Sequence, residues 1–300
     1  MHEKGIAMTY TGPTLARRML ARQLRELREK SGVSAELARQ AIDVGKQTLW
    51  RMETGQPTRL NPLFIERLCD TYGASEATTS MLLELTEEAR QRGWWRKFGN
   101  VLPKHFELLV GLEDAAKRII SYQTMLLPGL LQTDQYHRAL IWLRTPTMPA
   151  AEVERRIEML NRRKAHLYDP AKPLSLHAVI DEAALRRAVG GRSAMADQLN
   201  YLAAAGELPN VSVQLIPLSA EAYGGIDVGP FGLFEFPRHL TARLTEPPVV
   251  CLESYTDTLY LDKVDEVQRY QEAYAELQRP ALDEARSRSL IHKIAKESAT

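Results

Sequence analysis

The sequence predicts a mainly α N-terminal domain followed by an α+β C-terminal domain with a mainly antiparallel sheet. Two patterns support this fold class. Apolar residues recur at three- and four-residue spacing through the first third of the chain, as in amphipathic helices. Later runs are short, rich in β-branched and aromatic residues, and bounded by Gly, Pro and Asn, as strands are. A length of 300 residues with 44% hydrophobic and 26% charged residues suits two soluble globular domains.

The N-terminal part begins with two helices of different length. Leu20, Leu24 and Leu27 form an apolar stripe on a charged helix, and Gly32 ends that helix. Ser34 is placed to cap the second helix. The inner face of the second helix is expected to comprise Leu37, Ala38, Ala41 and Ile42.

A third helix follows after a tight connection through Asp43, Val44 and Gly45. It runs from about Lys46 to Glu53, and Gly55 and Pro57 end it. Two short helices joined by so short a turn must cross, so the second can project its outer face into a DNA major groove. This geometry predicts a helix-turn-helix domain.

The outer face of the third helix is polar and basic. Leu49 and Met52 are its apolar residues and are expected to pack inward. Between Arg17 and Arg59 we count ten Lys/Arg against five Asp/Glu, a net charge of about +5 where the whole chain carries +1. Positive charge is therefore concentrated where DNA phosphates would lie. The residues expected on the exposed face are Lys46, Gln47, Thr48, Trp50 and Arg51.

Three motifs in this region resemble the Xre/Cro-like helix-turn-helix domain of bacterial and phage regulators. They are LRELREKSG, GVS and VGKQTLWRMETG, followed by LFIERLCDTYGAS as a fourth helix. The resemblance implies that Glu53 pairs with an arginine of the first helix. It implies DNA reading by the third helix, and phosphate contacts from the loop that follows. The DNA-binding residues that it implies are Lys46, Gln47, Thr48, Trp50, Arg51, Thr58, Arg59 and Asn61.

Three positions depart from that family's pattern. Ala35 stands where a glutamine often opens the second helix. Arg39 occupies a position that is usually small and faces the third helix, and Trp50 is large for its site. These changes leave the fold prediction intact and bear on which DNA sequence is bound.

The composition also limits the class of protein and its cellular location. No apolar run approaches the 18 residues of a membrane span, and the first residues lack a secretion signal. Cys69 and Cys251 are far apart in apolar surroundings, which favours buried thiols in a reducing cytoplasm. We expect a flexible N-terminus (1–14), the helix-turn-helix domain (15–92), a linker (93–103) and the α+β domain (104–300). In the linker, the tryptophan pair Trp94-Trp95 favours docking over contact with nucleic acid.

The second domain alternates helical and extended patterns. HFELLVGLEDAAKRIISYQ, TDQYHRALIWLR and AEVERRIEMLNRRKAHLY have helical periodicity, as does the closing segment, which is broken at Pro280. The segment AEAYGGIDVG is expected to be a loop that closes a hairpin. The predicted strands lie in PLSLHAVIDEAAL, PNVSVQLIPL, GPFGLFEFP, PPVVCLES and DTLYLD.

No convergent catalytic set appears, so we expect no enzyme activity, no cofactor and no metal. Asp181 and Glu182 could act as an acid–base pair or bind a metal, but capping of a helix by Asp181 is the simpler interpretation. The histidines lack metal-ligand spacing, and His177 on a strand is more typical of a satisfied side chain than of a ligand. Turn geometry explains the glycine pairs Gly190-Gly191 and Gly224-Gly225.

The second region resembles the sensor-like domain of unknown function that follows an Xre-type module in a large actinobacterial regulator family. The carrying segments include ISYQTMLLPGLLQTDQYHRAL, HAVIDEAALRRAVGG and LYLDKVDEVQRYQEAYAEL. The resemblance implies a cytoplasmic transcriptional regulator. Because helix-turn-helix dimers bind half-sites about one helical turn apart, we expect a homodimer on an inverted-repeat operator in double-stranded DNA. The alternative is an antitoxin-like module that neutralises a small neighbouring protein, with DNA binding serving autoregulation. A small-molecule effector stays open, because an apolar pocket need not leave a motif.

Overall fold

The computed structural model describes residues 13–99, 104–239 and 241–299, and these residues form two compact units. The N-terminal unit comprises Met1–Arg96 together with Pro237–Glu246. The C-terminal unit comprises Lys97–Phe236 and Pro247–Thr300. The expected flexibility of the first 12 residues lies outside the described residues, as do residues 100–103 of the expected linker. Thr14, which we had assigned to the flexible N-terminus, belongs to the first helix.

The N-terminal unit is built from helices around one apolar core. Buried side chains on the first helix include Leu15, Leu20 and Leu24, and the third helix adds Leu49. Trp95 is buried, and its indole ring lies so close to Gly93 that a Cβ at this position would overlap the ring. The helices are α1 (Pro13–Ser31), α2 (Ala35–Ala41), α3 (Lys46–Glu53), α4 (Pro62–Tyr72) and α5 (Glu76–Arg90), and a 3-10 helix follows at Trp94–Phe98.

The segment Pro237–Glu246 also belongs to the N-terminal unit, although the sequence placed it in the second domain. Its last residue, Glu246, is 3% exposed. Arg18 Nε and Arg22 Nη1 each donate to one oxygen of this carboxylate at 2.6 Å. Arg22 Nη2 also donates to the Thr245 carbonyl at 3.2 Å. Two arginines of α1 therefore bind a carboxylate from the distant end of the sequence.

The C-terminal unit is an α+β fold, as expected. Its helices are α6 (Lys104–Ala115), α7 (Asp134–Arg144), α8 (Ala150–Lys164), α9 (Glu182–Leu185), α10 (Arg192–Ala205), α11 (Val264–Gln278) and α12 (Glu284–Ala299). Its strands are β1 (Arg118–Gln123), β2 (Ser175–Asp181), β3 (Val211–Ile216), β4 (Phe231–Glu235), β5 (Val249–Glu253) and β6 (Thr258–Leu261). In the described residues they form a six-stranded mixed sheet in the order β3-β2-β1-β4-β5-β6.

The sheet is mainly antiparallel, which confirms the prediction. Strands β1, β2 and β3 pair in parallel, whereas β1–β4, β4–β5 and β5–β6 pair antiparallel. One face packs under α11, where Tyr122, Phe231 and Leu277 belong to a single buried cluster. Alternate strand residues such as Ile180 are buried as well, so apolar contacts cover both faces of the central strands.

Strand β1 differs from the sequence prediction. The periodicity predicts a helix through residues 118–123, but the helix stops at Ala115 and the chain enters the sheet at Arg118. The four residues from Ile119 to Tyr122 are all buried, because this strand lies in the middle of the sheet. A strand buried on both faces shows no polar alternation, so its sequence is hard to separate from that of a buried helix.

The expected hairpin before β4 was also wrong. Strands β3 and β4 follow each other in the sequence, but β2 and β1 lie between them in the sheet. The connection therefore crosses the sheet, and Gly225 turns within it at a φ of 86°. None of the helices in the described residues is long and apolar enough to cross a membrane.

Candidate nucleic-acid interface

The turn between α2 and α3 sets the direction of the third helix. Ser34 caps α2, with its hydroxyl accepting from Leu37 N at 3.2 Å. Asp43 adopts a φ of 50°, a left-handed conformation that Asp tolerates better than most residues. Val44 N then donates to the Arg39 carbonyl at 3.1 Å, and Gly45 forms the N-cap of α3 in an extended conformation. The turn is closed by backbone hydrogen bonds before α3 starts.

Helix α3 has the two faces that its sequence predicts. Leu49 and Met52 are each 2% exposed and pack inward. The side chains Lys46, Gln47 and Arg51 are exposed, and Thr48 is half-buried. Trp50 is 54% exposed, so a large aromatic ring faces solvent on this helix. Polar donors and one indole ring therefore share the outer side of a helix whose inner side is fixed by packing.

Helix α2 differs from the expectation at two residues. Leu37, which we assigned to the inner face, is 58% exposed, whereas Ala38 and Ile42 are buried as predicted. Arg39 lies along its own helix and hydrogen-bonds the Glu36 carboxylate through Nε at 2.8 Å. The hydrogen bond from Arg39 lowers the pKa of Glu36, and Lys46 adds to this effect.

A buried ion pair holds α3 against α1. Arg28 donates through Nε and Nη2 to the two carboxylate oxygens of Glu53, at 2.6 and 2.9 Å. Both side chains are largely removed from water, at 16% and 7% exposure. A bidentate arginine–carboxylate pair has a defined geometry as well as a favourable energy. The pair therefore restrains the orientation of α3 relative to α1. The structural role that the resemblance implied for Glu53 is observed.

The loop after α3 contains the three residues expected to contact phosphate. Arg59 is exposed. The Thr58 carbonyl accepts from Arg17 Nη1 at 3.0 Å, which ties the loop to α1. Asn61 caps α4, with its side-chain oxygen accepting from Leu63 N at 3.1 Å. Thr58 and Asn61 thus have structural contacts, and Arg59 presents a charge to solvent.

The cations between Arg17 and Arg59 differ in whether they contact other groups of the protein. Among the ten cations counted between Arg17 and Arg59, Arg17 donates to main-chain carbonyls instead of a carboxylate. Three others form no ion pair or side-chain hydrogen bond within the described residues, and all three were predicted site residues: Lys46, Arg51 and Arg59. The remaining six pair with carboxylates, and these are Arg18, Arg22, Arg25, Arg28, Lys30 and Arg39. A count of charges in the sequence does not show which cations are paired. For Arg18 and Arg22 the partner, Glu246, lies far outside residues 17–59.

The other candidates have ordinary structural roles. Asp181 caps α9, with its carboxylate accepting from Ala183 N at 2.8 Å, as the simpler interpretation held. His177 is half-buried on β2, and burial together with the adjacent Arg118 lowers its pKa. Gly190 and Gly191 turn the chain at φ values of 77° and 93°. Within the residues that the structure describes, no group of three or more potential metal ligands comes together.

Comparisons with known families match both parts of the chain. Residues 19–82 match a helix-turn-helix domain, which covers most of α1, all of α2 to α4 and the first half of α5. This motif places its second helix in the DNA major groove, and α3 is that helix here. Searches of curated proteins and of solved structures give no match. Residues 106–293 match a domain of unknown function, DUF5753, over more than half of the chain, and the protein therefore belongs to the DUF5753 family.

Proposed function

We propose that the protein is a sequence-specific DNA-binding transcriptional regulator. Helix α3 enters the major groove, with Gln47 and Arg51 hydrogen-bonding base edges and Arg59 contacting phosphate. One observation carries this proposal. Within Arg17–Arg59, the cations that bind no carboxylate or carbonyl of the described residues are confined to α3 and the loop after it. A surface that binds DNA needs charges that are not already neutralised.

The DNA is proposed to be an inverted repeat bound by a homodimer. Helix-turn-helix dimers bind half-sites about one helical turn apart, roughly 34 Å. The C-terminal unit would then serve dimerisation, signal sensing or partner binding. The Xre-type relationship, the actinobacterial origin and the antitoxin-like alternative stay predictions from the resemblance.

The proposal is tested by binding of the purified protein to the region upstream of its own gene. Arg51→Ala should weaken this specific binding by about 1–3 kcal/mol if the guanidinium contacts a base. Arg59→Ala should weaken binding to specific and random DNA alike, and should reduce the salt slope by about one. Fluorescence anisotropy over a range of salt concentrations measures both effects.

The matched control is Arg90→Ala, which removes the same charge from an exposed arginine on α5 that pairs with Glu87. Its affinity should stay close to that of the unaltered protein. An Arg51→Ala variant that binds as tightly as the Arg90→Ala control would rule out the assigned role of α3.

A further inference from the structure

A cleft opens in the C-terminal unit at the carboxyl ends of two parallel strands. Asp181 and Ile216, the last residues of β2 and β3, lie opposite each other in the sheet register. Glu182 and Pro217 follow immediately, and both line a cleft of about 630 Å³. This volume is within the range of small-molecule sites. In sheets with parallel strands, ligands bind outside the carboxyl ends of the strands.

The walls of the cleft are held in place by buried hydrogen bonds. Ser287 on α12 is fully buried, and its hydroxyl accepts from Leu215 N at 2.9 Å. Leu282 N, just before α12, donates to the Leu215 carbonyl at 2.8 Å. The start of α12 is therefore fixed to the end of β3. These hydrogen bonds hold the α12 side of the cleft to the sheet, whereas Pro217 and Ser219 line it from the connection after β3.

A buried carboxylate closes one end of the cleft. Glu182 is 6% exposed, and one of its oxygens accepts from Leu218 N at 2.9 Å. Its other oxygen accepts from Arg186 Nε at 2.7 Å, and Arg186 also reaches Glu297 at 3.1 Å. Arg186 and the Leu218 amide compensate the Glu182 carboxylate, but the same arginine also serves Glu297. The attraction for an anion must therefore come from other cations of the lining.

Two further cations line the cleft on α12. Arg286 and Lys293 are exposed and form no ion pair or side-chain hydrogen bond within the described part of the chain. They are seven residues apart, so they lie on the same face of the helix, about 10 Å apart along its axis. Asp283 already accepts from Arg286 N at 2.8 Å at the start of α12, so the side chains supply the positive charge.

The rest of the cleft lining is mixed. Leu282 and Leu290 provide apolar contacts, and Ser219 and Ser289 provide hydroxyl oxygens. A guanidinium binds carboxylate or phosphate in a bidentate way, and an ammonium adds a point charge. The lining thus suits a small organic molecule with two or more negative charges and a short neutral middle.

We propose that this cleft binds a small organic polyanion that carries carboxylate or phosphate groups. Arg286 binds one anionic group and Lys293 binds another. Pro217 and Leu290 contact the body of the ligand. The site does not require that the protein bind DNA, so the assignment stands or falls independently of the proposed function.

Isothermal titration calorimetry of the full chain tests this assignment, with citrate and pyrophosphate as the probes. Direct heats are needed because such anions also stabilise proteins without binding a site. At constant ionic strength, at least one anion should bind saturably with one site per chain. The tighter of the two identifies the preferred chemistry. The neutral polyol sorbitol should give no binding.

The deciding variant is Arg286→Gln/Lys293→Gln, which should weaken binding about tenfold or more by removing two charge-assisted contacts. Its control is Arg269→Gln/Lys172→Gln, which removes two exposed cations of the same unit that do not line the cleft. The control should bind as the unaltered protein does. The assignment is overturned if neither anion saturates, if the deciding variant binds normally, or if the control loses as much affinity.

Discussion

Single side chains explain how the N-terminal unit holds its recognition helix. The Arg28–Glu53 pair joins α3 to α1, and Arg17 ties the following loop to the same helix. Each of these contacts leaves the outer face of α3 untouched. The residues that orient the helix are thus distinct from those that would contact DNA. This separation allows the DNA-contacting residues to vary without loss of the fold.

His137 is a residue whose protonation should affect stability. It lies on α7, with Nδ1 at 2.7 Å from the Gln132 side-chain oxygen, so the neutral ring donates this hydrogen bond. Burial, and then the nearby cations Arg163 and Lys164, lowers its pKa from 6.5 to about 4. Between about pH 6.5 and about pH 4, His137 is therefore more protonated in the unfolded chain than in the folded chain. As the pH falls through this range, the free energy of unfolding decreases.

The prediction is that replacing His137 with Gln flattens the pH dependence of unfolding in this window. The free energy of unfolding of the unaltered protein should fall more steeply than that of His137→Gln between about pH 6.5 and about pH 4. Urea titrations at several pH values measure the difference. His292→Gln, at an exposed position, serves as the control and should keep the original slope. Equal slopes for the unaltered protein and His137→Gln would contradict the assignment.

Some side-chain positions in the N-terminal unit could be predicted from the sequence, and others could not. The prediction that Leu49 and Met52 pack inward is confirmed, because their three-residue spacing puts both on one face of α3. Leu37 was placed inside and is exposed. Helix α2 has seven residues and is rich in alanine, so its apolar spacing does not define one face. The partner of Arg18 and Arg22 lies more than 220 residues away, and no local pattern predicts such a contact.

At the level of elements, the segment Pro237–Glu246 is an unexpected part of the N-terminal unit. The chain leaves the C-terminal unit after Phe236 and returns to it at Pro247. Between these points Arg243 approaches the Met81 sulfur at 3.7 Å, and Glu246 binds two arginines of α1. The stability of α1 should therefore depend on a residue outside the helix-turn-helix sequence.

Glu246→Ala tests this dependence in the full chain. The variant leaves Arg18 and Arg22, at 15% and 26% exposure, without their carboxylate. Loss of charge-assisted hydrogen bonds of this kind costs about 2 kcal/mol. Amide hydrogen exchange in α1 should accelerate accordingly. Glu221→Ala, an exposed acid that forms no ion pair within the described residues, should leave exchange unchanged. Unchanged protection of α1 in Glu246→Ala would refute the dependence.

The strands show which elements a sequence can reveal. Strands β2 to β6 were located because Gly, Pro and Asn bound each short apolar run. Strand β1 was missed because it follows α6 after only two residues and is buried on both faces. The order of the sheet was also out of reach. Pairing of β1 with both β2 and β4 is set by the tertiary packing of the faces, which local patterns do not record.

At the level of the whole molecule, the chain joins a helix-turn-helix domain to a DUF5753 domain. Four cations of the first domain, Arg17, Arg18, Arg22 and Arg28, make long-range contacts that hold the fold, whereas Lys46, Arg51 and Arg59 on α3 and the following loop have no such contact within the described residues. The second domain has a cleft with two uncompensated cations, which makes it a candidate receiver of a chemical signal. Regulators commonly combine one unit that binds DNA with another that responds to a ligand, and we propose this division here.

The proposed role of α3 is to read a DNA sequence with its outer face. Selection of bound duplexes from a random library, followed by sequencing, tests this role with the full-length protein and with Gln47→Ala. We expect the unaltered protein to enrich an inverted repeat with half-site centres about one helical turn apart. We expect Gln47→Ala to relax the preference at one symmetric pair of positions. Random sequences without enrichment, or the same motif at equal strength from the variant, would contradict the claim.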